Sequence, residues 1–188
     1  MDKIIVTFEN GEKKQYSKGI KLKEIINDVK KEYKNDIITA KFKNQLIGYN
    51  DSIMKSGTLT FFDFTTPLGN KLYERGLICL FESCTLKVLG SDTNITIRHP
   101  IDKGIYCEID KKINSLQLEE ISKLMKKKIK DDLTFEQIET SRIEAIEYFK
   151  RTKREDKVKT LSYTTSNFVK LYKFDGVYNY IIGDLPNS

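Results

Sequence analysis

Along the first sixty residues the spacing of hydrophobic positions switches from strand to helix and back. Lys3-Ile4-Ile5-Val6-Thr7-Phe8 reads as a strand, and Glu9-Asn10-Gly11-Glu12 supplies an Asn-Gly turn of the kind that closes hairpins. Lys13 to Tyr16 is then the return strand. Leu22, Ile25, Ile26, Val29 and Tyr33 fall at helical spacing and predict an amphipathic helix of about three turns. Ile37–Phe42 and Gln45–Ile47 pair across Lys43-Asn44, and Gly57 leads into a last strand, Thr58–Phe62.

The pattern changes around Thr65-Thr66-Pro67, which places a domain boundary there, with residues 1–64 before it and 65–188 after it. Pro67 suits the first turn of a helix behind a threonine cap. Leu68, Leu72, Leu77, Leu80, Phe81 and Cys84 then recur over roughly four turns of that helix. Strands Asn94–Arg98 and Ile105–Ile109 follow, separated by a turn at Gly104. A long helix spans Ser115–Lys130, with Leu118, Ile121, Leu124, Met125 and Ile129 on one side. Thr134–Glu139 alternates like a strand. Ser141-Arg142-Ile143-Glu144 is a capping box opening a helix whose Ile143, Ile146 and Phe149 face inward. A short Lys157–Leu161 helix precedes a final β-pair, Phe168–Tyr172 and Val177–Ile182, turned at Asp175-Gly176. The fold class is α+β in two parts.

Composition narrows the chemistry more than the fold. With 188 residues, 39% of them apolar, the chain has the material for a real core, and 10 Gly with 3 Pro argue against disorder. No apolar run approaches the ~20 residues of a membrane span. The start, Met1-Asp2-Lys3-Ile4, runs straight into strand-like sequence without a signal-peptide layout, so a cytoplasmic protein without a membrane partner is expected. The net charge of +6 invites a nucleic-acid partner. That charge is spread evenly, however, each part of the chain carrying +3. Two basic clusters stand out, Lys126-Lys127-Lys128-Ile129-Lys130 and Lys150-Arg151-Thr152-Lys153-Arg154. Either they complement helix C-termini or they contact RNA phosphates, which would position a partner without reading its sequence.

Most familiar catalytic chemistry is excluded. Cys79, Cys84 and Cys107 form no CxxC or Cys/His array, and His99 is the only histidine, so no metal site is expected. Catalysis by a Ser-His or Cys-His pair would have to use His99 itself. No Gly-Lys dipeptide occurs, hence no phosphate-binding P-loop, and no GxGxxG follows a strand. No cofactor is expected in this chain.

The β-β-α-β-β-β order of the first part is that of a ubiquitin-like β-grasp, and it resembles a TGS domain, the module at the start of threonyl-tRNA synthetases. The resemblance rests on Val6-Thr7-Phe8-Glu9-Asn10-Gly11-Glu12-Lys13-Lys14, on the Leu22-Lys23-Glu24-Ile25 helix, and on Ile38-Thr39-Ala40-Lys41-Phe42-Lys43-Asn44. The second part resembles the second additional domain of the same synthetases, through Ile101-Asp102-Lys103-Gly104-Ile105-Tyr106-Cys107-Glu108-Ile109-Asp110, then Leu118-Glu119-Glu120-Ile121 and Ala145-Ile146-Glu147-Tyr148-Phe149.

In the synthetases that domain removes misattached serine, using two histidines four apart on its first helix and a Cys and a His four apart near its end. The resemblance puts Gly76, Leu80, Ile181 and Leu185 at those positions, so editing chemistry is expected to be lost. Apolar side chains can neither accept a proton nor hydrogen-bond an ester. Lost histidines with the domain order kept resemble nucleoside kinases of the uridine kinase type, which carry both domains ahead of a kinase domain. The expectation is therefore a non-catalytic regulatory module binding RNA or a small ligand, its partner a kinase domain beyond Ser188 that would supply the ATP and Mg chemistry. The alternatives are a threonyl-tRNA synthetase-related fragment, or a divergent aminoacyl-tRNA deacylase using Cys79, Cys84, His99 or Asp102.

Overall fold

The computed structural model describes residues 2–101 and 104–186, with the backbone alone over 99–101. By contacts the chain divides into two compact units, one ending at Arg75 and including Leu185 and Pro186, the other running from Gly76 to Asp184.

The first unit is a five-stranded sheet with one helix. Strands β1 (Lys3–Phe8) and β2 (Lys13–Ser17) form the expected hairpin, in which Gly11 takes a left-handed φ of 82°. A short β3 (Ile20–Lys21) leads into helix α1 (Leu22–Val29), where the Glu24 carboxylate accepts from the Lys21 N–H. The helix is shorter than its apolar spacing predicts. It tightens into a 3-10 turn at Lys30–Glu32, and Tyr33 lies beyond it, its ring edge-on to Phe61 at 5.3 Å. Strands β4 (Ile37–Phe42), β5 (Gln45–Ile47), β6 (Ser52–Ile53) and β7 (Gly57–Asp63) complete the unit. The sheet order is β2-β1-β7-β4-β5, with β1 and β7 parallel and the other neighbours antiparallel. The inward residues of β1, Ile4, Val6 and Phe8, meet Leu22, Ile25, Ile26 and Val29 of α1 in one core. The β-grasp order is thus observed.

Helix α2 (Pro67–Leu89) opens as its residues foretell: the Gly69 N–H donates to Thr66 Oγ1 at 3.1 Å. The expected boundary at Thr65 lies at this opening, while the division by contacts falls two turns later, between Arg75 and Gly76.

The second unit adds a β-hairpin, β8 (Ile95–Ile101) with β9 (Gly104–Ile109), then α3 (Ser115–Lys130), β10 (Glu136–Ser141), α4 (Arg142–Arg151), α5 (Glu155–Ser162), β11 (Phe168–Phe174) and β12 (Val177–Asn179). The last three strands form an antiparallel sheet in the order β10-β11-β12. Ala145 and Phe149 of α4, Leu161 of α5, and Val169 and Leu171 of β11 make one core. The Ser141–Glu144 capping box is present.

One helix face and one strand end differ from expectation. Ile143 is exposed, because the buried face of α4 carries Ala145 and Phe149, and Ile143 sits roughly 200° around the helix from Ala145. Leu118 and Ile129 lie on the expected side of α3 but are exposed, since the helix fully buries only Ile121. Strand β12 stops at Asn179 rather than Ile182. There the Asn179 side chain turns inward, and its Oδ1 accepts from the Tyr180 N–H at 3.0 Å.

Candidate functional site

The stretch Gly76–Leu86 of α2 carries one charged residue, Glu82, in an otherwise uncharged run. This part of the helix is wrapped on nearly all sides: Cys79, Leu80, Glu82, Ser83, Cys84, Thr85 and Leu86 are all buried. A carboxylate removed from water needs charged and hydrogen-bonding partners to offset a desolvation cost of several kcal/mol. Glu82 finds them on α5 and at the end of β12. Lys157 Nζ donates to Oε1 at 3.1 Å, the Asn179 amide donates to Oε2, and an Arg154 guanidinium nitrogen stands 3.5 Å from Oε2. Asp156 completes the group, 3.5 Å from Lys157 and 3.6 Å from Arg154.

The thiols in this unit are chemically quiet, chiefly because they are buried. Burial, reinforced by the neighbouring Glu82 carboxylate, pushes the Cys79 thiol up to about 12. Burial likewise raises Cys84 to about 11, and Cys107 is raised for the same reason. A thiol so held is not a nucleophile near neutral pH, because the thiolate is the reactive form. Neither Cys79 nor Cys84 therefore suits the role a deacylase would give it. Asp102 lies outside the described residues, and of His99 only its place in β8 is described. Among the described residues no group of three or more His, Cys, Asp or Glu side chains is arranged to hold a metal ion.

The four positions that the resemblance assigns to editing chemistry are not gathered in one unit. Gly76 and Leu80 are buried on α2, Ile181 is half-buried beyond β12, and Leu185 groups with the first unit. None of them brings a side-chain polar atom.

The basic clusters are only partly available to a partner. Lys126, Lys127 and Lys130 are exposed at the end of α3, as are Lys150, Arg151 and Lys153 around the end of α4. The Arg151 guanidinium lies 5.8 Å over the Tyr148 ring. Lys128 is tied to Asp175, which also holds Lys87. Arg154, expected among the RNA contacts, is only 1% exposed and pairs with Glu82.

The cause of Arg154's burial is local. Lys153 adopts a left-handed φ of 56° at the end of α4. The Lys153 N–H donates to Lys150 O and the Arg154 N–H to Phe149 O at 2.8 Å, the Schellman pattern that reverses a chain after a helix. The reversal carries Arg154 into the core. Glycine usually fills this position, and without it the sequence carries no sign of the turn. For Glu82 a sign did exist, a lone carboxylate in an apolar run, but nothing local marks Lys157 and Asn179 as its partners.

No family model matches the chain. Among known proteins it is similar to the threonine–tRNA ligase of Caldanaerobacter subterraneus subsp. tengcongensis, 26% identical over 160 residues, covering 84% of this chain and 25% of the ligase. The Staphylococcus carnosus enzyme is 29% identical over 154 residues, covering 80% and 23%. That of Ehrlichia chaffeensis is 29% identical over 166 residues, covering 87% and 26%. The chain thus spans about a quarter of the length of the curated relatives it matches. It is homologous, at modest identity, to the N-terminal region of threonine–tRNA ligases. These relatives give the expected nucleoside-kinase parent no support.

Proposed function

We propose that this chain is a threonine–tRNA-ligase-related module that binds tRNA through its exposed basic side chains and does not deacylate it. The observation that carries the reading is the pairing of synthetase homology over about four-fifths of the chain with apolar or glycine residues at all four editing positions. The buried Glu82 group adds to it, since its charges are spent on one another inside the unit. Of the eight basic residues in the two clusters, six are exposed and open to phosphate contacts: Lys126, Lys127, Lys130, Lys150, Arg151 and Lys153. A regulatory role ahead of a kinase domain rests on the lost histidines and the domain order, with no relative behind it, and is not carried further.

Binding by charge has a quantitative signature. Each phosphate neutralised contributes about −0.9 to the slope of log K against log salt on a duplex. Reversing Lys126, Lys127 and Lys130 to Glu should flatten the slope for threonine tRNA by about 2 to 3, and reversing Lys150, Arg151 and Lys153 should do the same. A slope unmoved by either set, measured by gel shift across salt concentrations, would show that RNA is not held by these side chains.

A further inference from the structure

Helix α3 presents more apolar surface than its own unit covers. Its inward face is the row Gln117, Ile121, Leu124 and Lys128, with Ile121 buried and the others half-buried. Roughly 100° around the helix runs a second row, Leu118, Ser122, Met125 and Ile129. Leu118 is 59% and Ile129 62% exposed, Ser122 is exposed, and Met125 is half-buried between the two rows. The steps along this row alternate between four and three residues, as at the a and d positions of a coiled-coil seam, and continue for about three turns.

Charge selects what the seam fits. Beside it, on the side away from the inward face, lie Glu119 and Lys126, at the e positions of the same pattern. Both are exposed. Glu119 meets Lys123 of its own helix at 2.9 Å, an exposed pair that contributes little and leaves the carboxylate open to a second cation. A surface of one sign, whether an anionic membrane or an RNA backbone, would attract Lys126 and repel Glu119. A second α3 turned end for end satisfies both. With a two-fold axis through the middle of the row, between Ser122 and Met125, like flanks face one another, and each Glu119 stands against the other copy's Lys126. Their heights along the helix then differ by about 3 Å, within reach of two long side chains. A parallel pair would set e against g, but the g positions here are Ile121, buried, and Lys128, tied to Asp175.

We infer that α3 is an interface with a second copy of this chain. The two helices run antiparallel, with Leu118, Met125 and Ile129 along the seam and the Glu119–Lys126 contact made twice on one flank. The seam is short and includes Ser122, so the dimer belongs at the small, weak end of specific interfaces. The inference does not rest on tRNA binding. Of the six cations assigned to RNA, only Lys126 borders the seam, and the test below contains no RNA.

Sedimentation velocity of the full chain at low salt, over a concentration series reaching about 1 mM, tests the inference. Reversible dimerisation is expected. Leu118→Ala combined with Ile129→Ala should weaken it at least about tenfold while Tm holds, because both side chains are exposed and alanine favours a helix. Glu119→Lys and Lys126→Glu each bring like charges together twice, and each should weaken self-association by about tenfold. Mixed in equal amounts, these two variants should associate with each other as tightly as the parent does with itself, because every facing pair is again of opposite sign. A chain that stays monomeric throughout the series overturns the inference. So does a dimer indifferent to the paired alanine substitutions, or a mixture that associates no more tightly than its components. Binding to vesicles of phosphatidylcholine and phosphatidylserine that is lost with Leu118 and Ile129, without any dimerisation, would assign the seam to a membrane and overturn it as well.

Discussion

Glu82 shows how a single side chain can commit an interior to structure. Its carboxylate is closed in by Lys157, Asn179 and Arg154, and each partner is itself buried or nearly so. Removing one partner of a buried ion pair costs more than the pair contributes, because it leaves a charge without compensation. Lys157→Met should therefore destabilise the fold by about 3–5 kcal/mol in urea unfolding at neutral pH. Adding Glu82→Leu to that variant should recover much of the loss, and strictly additive effects would mean the two residues do not act as a pair. Asp175 sets a different signature. Burial alone would raise its carboxyl, but hydrogen bonds from Lys128 and Lys87 outweigh burial and hold it below the ordinary value. A depressed carboxyl contributes stability that is full above its unfolded pKa of about 3.9 and fades as pH falls through the lower folded value. Asp175→Asn should accordingly flatten the decline of Tm below about pH 4. An unchanged acid limb would contradict the triad.

Helices and turns record how much of this was readable in advance. The Asn10-Gly11 hairpin, the Thr66 cap, the Ser141–Glu144 box and the bounds of Ser115–Lys130 were legible because each is decided within a few residues. The Glu82 group was not, since Lys157 and Asn179 lie 75 and 97 residues further along the chain. Arg154 was misread with its basic neighbours because Lys153, not glycine, makes the turn that buries it. That substitution is itself testable. Lys153→Gly should raise stability by about 1 kcal/mol, because a left-handed conformation costs an L-residue that much and glycine almost nothing. A loss of stability would mean the Lys153 side chain contributes more than its backbone costs. Gly69 gives the opposite case, and here φ is not the reason. A Cβ at Gly69 would stand 1.9 Å from the Asp63 carbonyl oxygen, so the first turn of α2 fits against β7 only without a side chain. Gly69→Ala should cost about 1–3 kcal/mol, read as a lower Tm.

The chain is homologous to the N-terminal region of threonine–tRNA ligases, and on the proposed reading the residues that would act on an aminoacyl ester are replaced by apolar ones or glycine. The expectation of lost editing chemistry came from four positions in the sequence, and the homology fits the synthetase-related alternative better than a kinase module. What the structure adds is an interior whose thiols are held protonated and whose charges are paired with one another. Its exposed cations at the ends of α3 and α4 are the ones the proposal assigns to RNA. The most direct test is a filter assay with radiolabelled seryl-tRNA of the threonine acceptor, which reads binding and ester hydrolysis together. The label should be retained on the filter at low salt and released no faster than from free seryl-tRNA. Accelerated release of serine would make the chain a deacylase, and label never retained at low salt would remove tRNA as its partner.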